Sequence, residues 1–277
     1  MPEICEVEII KEQLNNAIGG EHLLSYSVNK PLHKSDGKLL EIPCHKVTAI
    51  ERWAKYLYFR MPGGIIESHL GMSGAWLMAN TLELSYFIEE MEEQAATLAE
   101  KHIRYILNFT GSVSLIYYDA RGFGSFYYYY CTEEDLYPTP DILNPKFDFK
   151  GLAIWNKDKP IYKYLHDQEI FPGMGAYLGA EWLFACNIHP MTSCSSIKDL
   201  PFLAKQLKKV LRWAMDTQGA SFTNYYNAEG KTGGAQTEFR VYNREGLPCL
   251  TCNTNIEKIS GKRGSQHCPS CQKVSLS

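Results

Sequence analysis

The chain has 277 residues, 45% of them hydrophobic and 21% charged, with a formal net charge of -3. That length favours two domains over one, and the composition is that of an ordinary globular protein. No apolar run approaches the roughly 20 residues that a bilayer span requires, and the N-terminus lacks the basic and apolar regions of a secretory signal. An intracellular protein, cytoplasmic or nuclear and with no membrane partner, is therefore expected.

A mildly acidic chain argues against a nucleic-acid binder, whose domains are often strongly basic. The charge is unevenly spread, however. From Lys231 onward the cations Lys231, Arg240, Arg244, Lys258, Lys262, Arg263 and Lys273 face only Glu238, Glu245 and Glu257. Acids gather instead at Glu83, Glu89, Glu90, Glu92, Glu93 and Glu100. A basic end and an acidic insertion cancel in the average, so net charge is a poor guide to the binding surface.

Residues 3–18 place Ile4, Val7, Ile10, Leu14 and Ile18 at helical spacing, and Gly19-Gly20 ends the pattern. From Leu23 to Phe126 the chain turns to short strands: 25–28, 45–51, 56–60, 64–68, 75–78, 104–109 and 114–118, separated by Gly, Pro and Asn breaks. That pattern predicts a β-sandwich or barrel. The Glu-rich stretch 82–101 interrupts it and is expected to be a helical surface insertion. Prolines at 138 and 140 open a connector over 138–150. Helical patterns follow at 161–168, 176–186 and 201–218, separated by turns at Pro172-Gly173 and His189-Pro190. The expected fold class is α+β: a β-sandwich domain with a leading helix over 1–137, a helical domain over 151–238, and a finger over 239–277.

Five of the nine cysteines, Cys5, Cys44, Cys131, Cys186 and Cys194, follow no pattern and are expected to be reduced thiols. The other four are Cys249-x2-Cys252 and Cys268-x2-Cys271, 15 residues apart. Each pair sits on a tight turn that can aim two thiolates at one ion, and the two turns complete a tetrahedral four-sulfur set suited to zinc. Such a site is closed, so one structural zinc is expected, supplying folding energy rather than chemistry. Between the pairs, Lys258, Lys262 and Arg263 make a basic, glycine-bearing tip. It is placed either to touch phosphates or to be merely solvated.

In order along the chain, these pieces resemble the formamidopyrimidine-DNA glycosylase / endonuclease VIII family of base-excision repair. Pro2-Glu3-Ile4-Cys5-Glu6-Val7-Glu8 looks like the family's PELPEVE, and Ala54-Lys55-Tyr56-Leu57 like its GKYL strand. His69-Leu70-Gly71-Met72-Ser73-Gly74 matches HLGMSG, and Asp119-Ala120-Arg121-Gly122-Phe123-Gly124 resembles DPRRFG. Leu165 to His189-Pro190 looks like the helix-two-turns-helix motif, and Arg240 to Gln272 like the family's zinc finger, with Arg263 five residues before the third cysteine. Single motifs here are weak, whereas six in order are specific.

The resemblance implies a β-sandwich and a helix-two-turns-helix domain with a zinc-finger hairpin, acting as a monomer on damaged DNA held between the domains. It implies a glycosidase and lyase in which Pro2, freed of Met1, is the nucleophile and Glu3 the proton shuttle. Lys55 is expected to be an electrostatic partner for phosphate or sugar, with Arg263 and Lys262 gripping the backbone near the lesion. Met72, Arg121 and Phe123 match the residues that fill the space left by an extruded base, although Met72 and Phe123 taken alone would more often be core. A secondary amine suits the task because it can form a charged iminium, and an α-amino group near pKa 8 is partly neutral at neutral pH.

The sequence also departs from the family pattern. Ala176 stands where an asparagine usually grips a phosphate, Gly122 replaces the second arginine of DPRRFG, and Cys5 replaces a proline. In the loop 227–236, Gly234-Ala235 stand where bulkier residues cover a guanine lesion, which leaves the preferred oxidised base open. A binding protein on the same scaffold, without turnover, is the alternative that these departures suggest.

Overall fold

The helix expected at the N-terminus is α1, Ile4–Ile18. Glu3 caps it in a reciprocal capping box: the Glu3 side chain accepts from the Glu6 backbone, and the Glu6 side chain accepts from the Glu3 N–H at 2.8 Å. Two N–H groups that a helix start leaves orphaned are thereby satisfied. Val7, Ile10, Leu14 and Ile18 turn one face into the core. Gly19 ends the helix, and a Cβ there would lie 2.4 Å from the Asn15 carbonyl oxygen.

The fold is described here from a computed structural model covering residues 1–32, 45–80, 100–130, 139–221, 225–260 and 265–273. The chain forms two compact units. Met1–Tyr137 and Gln218–Gly234 make the first, and Pro138–Thr217 and Ala235–Ser277 the second.

The first unit is a β-sandwich. Its strands are β1 (Leu23–Val28), β2 (Ala49–Trp53), β3 (Tyr56–Met61), β4 (Gly64–His69), β5 (Gly74–Asn80), β6 (Ile103–Phe109), β7 (Val113–Asp119) and β8 (Ser125–Tyr129). One sheet runs β1-β6-β7-β5 and the other β2-β3-β4-β8, and every pairing is antiparallel. Phe59, Trp76, Tyr105, Tyr117 and Phe126 fill the space between the sheets with hardly any exposure. Tyr105 stacks on Phe126 at 4.7 Å, and Trp76 meets Tyr117 at 4.8 Å. The Trp76 indole donates to Ser68 Oγ at 3.0 Å, so its one polar atom is not buried unpaired.

Three sequence expectations need correction, and a fourth cannot be placed. Strand β8 lies beyond the expected strands, and β2 begins at Ala49 rather than His45. The expected helix over 161–168 is a 3-10 turn at Ile161–Lys163 followed by further turns. There the Gln168 side chain donates to the His166 and Met174 carbonyls and accepts from the Gly173 N–H, contacts made only by a folded-back loop. The expected insertion helix falls almost wholly on residues outside those described.

The second unit is built on α2 (Ala176–Ala185) and α3 (Leu200–Asp216). Asp199 caps α3 by accepting from the Phe202 N–H, and Trp182 of α2 donates its indole N–H to the Leu203 carbonyl of α3. The finger carries a short antiparallel ladder, β9 (Glu257–Lys258) with β10 (Gln266–His267). No described helix is long and apolar enough to cross a membrane.

Candidate active site and metal centre

The chain's terminal amine sits at the start of α1, directly before the buried Pro2 and Glu3. Burial holds this ammonium below its ordinary value, and Lys55 and Arg121 push it further down while Glu3 and Glu6 oppose them. The Met1 side chain is exposed, but its amine is enclosed enough for desolvation to dominate. Two carboxylates and two cations, three of them expected site residues, thus converge on one amine. Pro2 nitrogen lies one residue along the chain from it, about 3.8 Å between Cα atoms.

Glu6 was not singled out from the sequence, yet it holds this corner together. It is buried, and its second oxygen accepts from the Ala220 N–H at 2.8 Å, which ties α1 to the segment 218–234. Gln13 of the same helix accepts from the Ala228 N–H at 2.9 Å. Cys5, the departure beside the site, is fully buried, and burial together with Glu6 and Glu3 pushes its thiol well above the ordinary value. It remains protonated and does not compete as a nucleophile.

Lys55 is buried and follows Ala54, whose φ of 51° is in the left-handed region. The Ala54 carbonyl accepts from Arg52 Nη1 at 3.0 Å, and Arg52 in turn pairs with Glu8 of α1. The turn that aims Lys55 is therefore clamped from the helix that carries Pro2 and Glu3. Strain of this kind persists only where the surroundings enforce it.

Met72, Arg121 and Phe123 lie on two neighbouring turns, β4–β5 and β7–β8. Met72 is 45% and Phe123 51% exposed, so neither is a core residue. The Arg121 guanidinium lies 4.9 Å over the Phe123 ring. Gly71, at φ +59, has no room for a Cβ, which would lie 2.6 Å from the Phe123 carbonyl. Gly122 has φ +68, where a side chain is strained. Gly233 in the 227–236 loop is equally constrained, since a Cβ would lie 2.2 Å from the Gly219 carbonyl oxygen.

In the second unit, Cys249, Cys252, Cys268 and Cys271 bring their sulfurs within 4.8 Å of one another. Tetrahedral zinc with Zn–S bonds of about 2.3 Å needs sulfurs about 3.8 Å apart. The Cys249–Cys271 pair is at 3.9 Å and the Cys252–Cys268 pair at 3.4 Å. Backbone N–H groups of Thr251 and Cys271 point at Cys249 and Cys268 sulfurs, the arrangement that stabilises thiolate. The donor set fits a closed metal site. Lys262 and Arg263 lie outside the described residues.

Glu181 of α2 anchors the start of the finger segment. Nearly fully buried, it accepts from the backbone N–H groups of Arg240, Val241 and Tyr242 at 2.8–3.2 Å. Ala176, at the first position of the same helix, is exposed and offers only a methyl group.

Residues 1–126 match the model of the formamidopyrimidine-DNA glycosylase N-terminal domain. A formamidopyrimidine-DNA glycosylase of Bdellovibrio bacteriovorus is 30% identical, over 99% of this chain and 100% of that protein. The chain belongs to the formamidopyrimidine-DNA glycosylase family. A Legionella pneumophila relative of the same name is 31% identical over 99% of both chains. Among solved structures, the Thermus thermophilus MutM (Fpg) protein superposes with a TM-score of 0.81 at 26% identity, over 99% of this chain and 100% of that one. Lactococcus lactis Fpg, in a complex with DNA containing an abasic site, also gives 0.81 at 26% identity, over 98% and 99%. Full-length coverage means that the family's sandwich, helical unit and finger all have counterparts here.

Proposed function

We propose that this chain is a bifunctional DNA glycosylase and abasic-site lyase acting on oxidised bases, with Pro2 as nucleophile once Met1 is removed. The observation that carries the reading is the setting of the N-terminus: Pro2 and Glu3 are buried at the start of α1, and Glu3, Glu6, Lys55 and Arg121 all lie close enough to act on the Met1 amine beside Pro2. Burial disfavours the charged form of an amine placed there, and only the neutral amine attacks. Names and DNA complexes of the family relatives support the substrate class.

The Pro2 nitrogen attacks C1′ of the damaged nucleotide, the glycosidic bond breaks, and the base departs with its bonding electrons and a proton. Glu3 delivers a proton to the ring oxygen as the sugar opens to an iminium. The iminium acidifies C2′; loss of that proton expels the 3′ phosphate, and a second elimination expels the 5′ phosphate. Water then hydrolyses the iminium and returns free Pro2. Buried Lys55 stabilises negative charge on sugar or phosphate in this scheme. Met72, Arg121 and Phe123 occupy the gap in the stack, and Lys262 and Arg263 bind backbone phosphates. Cys249, Cys252, Cys268 and Cys271 would hold one zinc ion, which supplies folding energy for the finger.

Glu3→Gln tests the assignment. It should abolish release of an oxidised base while sparing DNA binding. Release at the wild-type rate would remove Glu3 from the mechanism, and absence of release by the wild type, with DNA still bound, would leave a damage-binding protein instead.

A further inference from the structure

Asp119 is fully buried, and no step above uses it. Its two oxygens accept four protons, all from the turns that carry Met72, Arg121 and Phe123. One oxygen takes the Ser73 hydroxyl at 2.5 Å, the Arg121 N–H at 3.2 Å and the Gly122 N–H at 3.0 Å. The other takes the Gly124 N–H at 2.8 Å. Ser73 Oγ also accepts from the Arg121 N–H at 3.1 Å, so the two turns are cross-linked through one hydroxyl. Arg104, itself buried, donates Nε to the Asp119 carbonyl at 2.7 Å and fixes the backbone from the neighbouring strand.

These contacts are too many for a chance loop bond. A carboxylate accepting several backbone N–H groups is charge-assisted and geometrically demanding. Its four donors lie on the residues adjoining the three exposed side chains or, for Arg121, on that residue itself. Gly122 completes the arrangement: at φ +68 it lets the chain turn its N–H inward between Arg121 and Phe123. Gly71 and Gly124 bring the two turns into direct backbone contact.

We infer that Asp119, with Ser73, is a positioning residue that locks the two turns into one rigid wedge, so that Met72, Arg121 and Phe123 enter the base stack together. The inference rests on the glycosylase reading above. Its consequence is selective. A loosened wedge impairs opening of a paired duplex but largely spares the amine chemistry, because burial, Glu3, Glu6 and Lys55 all act on the amine more strongly than Arg121 and the wedge itself is needed only where a base must be extruded.

The test compares wild type, Asp119→Asn and Ser73→Ala, each processed to Pro2 and loaded with zinc. Asp119→Asn keeps one acceptor oxygen but turns an amide N–H2 toward a backbone N–H. Ser73→Ala removes the cross-link alone and guards against a misfolded Asn variant. Each is assayed for release of an oxidised base from duplex DNA and for cleavage of an abasic site in single-stranded DNA. Fluorescence of 2-aminopurine opposite the lesion reports insertion, and urea denaturation reports stability. Both variants should lose at least about tenfold in duplex excision while single-strand cleavage changes less than about twofold. The 2-aminopurine signal should fall with the excision rate. An unchanged ratio of duplex to single-strand rates, or losses that follow stability alone, would overturn the positioning role. If the wild type cleaves neither substrate, the glycosylase reading fails and the inference falls with it.

Discussion

Glu181→Ala should release the finger from the helical unit. The carboxylate makes four contacts within 3.2 Å to three successive backbone N–H groups. Arg240 is exposed and Tyr242 half-buried, so their N–H groups can turn to water, but Val241 is fully buried. An orphaned buried N–H costs about 1–3 kcal/mol, and hydrogen bonds to a charged acceptor contribute about 1.5–3 kcal/mol each. Effects within one network do not add, so a loss of about 3–5 kcal/mol is expected, in the range seen when one partner of a buried charged group is removed. Glu181→Gln keeps the oxygen that serves all three N–H groups and sheds a charge whose burial already holds the acid above its ordinary value. It should cost only about 1 kcal/mol. The assay is urea denaturation of zinc-loaded protein, followed by tryptophan fluorescence and by zinc release to a coloured chelator. The alanine variant should release zinc at lower urea than the wild type, and the separation between zinc release and loss of tryptophan fluorescence should widen. Coincident wild-type midpoints for the alanine variant, or equal damage from Gln and Ala, would refute the reasoning.

Other predictions follow from the same clamps. Ala54→Gly should be close to neutral: relief of about 1–2 kcal/mol of left-handed strain is offset by about 0.4–1 kcal/mol of unfolded-chain entropy and the loss of a buried methyl. Ala54→Val should destabilise by about 2 kcal/mol or more, since a branched residue fits neither the dihedral nor the buried position, and should slow abasic-site cleavage by displacing Lys55. For Glu8, burial raises the acid, but Arg52 and Lys11 outweigh it and the value is lowered from 4.5. A depressed acid contributes stability that is present above its unfolded value and lost as pH falls through its folded value. The stability gap between wild type and Glu8→Gln should therefore be full above pH 4.5 and close below it, which urea midpoints across pH would check. Chelating the metal should unfold the finger and weaken DNA binding while the sandwich keeps its melting transition; an intact finger after chelation would refute the metal's structural role.

The sequence made some of this legible and hid the rest for identifiable reasons. The N-terminal helix was plain because its apolar period and the Gly19-Gly20 stop agree. The metal set was plain because two tight Cys-x2-Cys turns leave few alternatives. Strand β8 was missed because Phe126 to Tyr130 is an unbroken aromatic run, and no alternation marks which face is buried. The 161–168 segment has a helical period, but Gln168 satisfies the backbone of a loop instead. Glu6 and Asp119 were the deeper omissions. Glu6 meets Ala220 from 214 positions away, and Asp119 acts on backbone N–H groups, which carry no residue-type signal. Spacing reveals which side chains can share a face, not which carboxylate will tie two loops together.

The most direct test is borohydride trapping. Protein processed to Pro2 would be mixed with DNA carrying an abasic site, reduced, and the cross-linked peptide mapped by mass spectrometry across a range of pH. The account predicts an adduct on the Pro2 nitrogen, with a trapping rate that rises with pH as the amine loses its proton, since only its neutral form reacts. No adduct from processed, zinc-loaded protein that still binds the DNA, or an adduct on Lys55 instead, would contradict it.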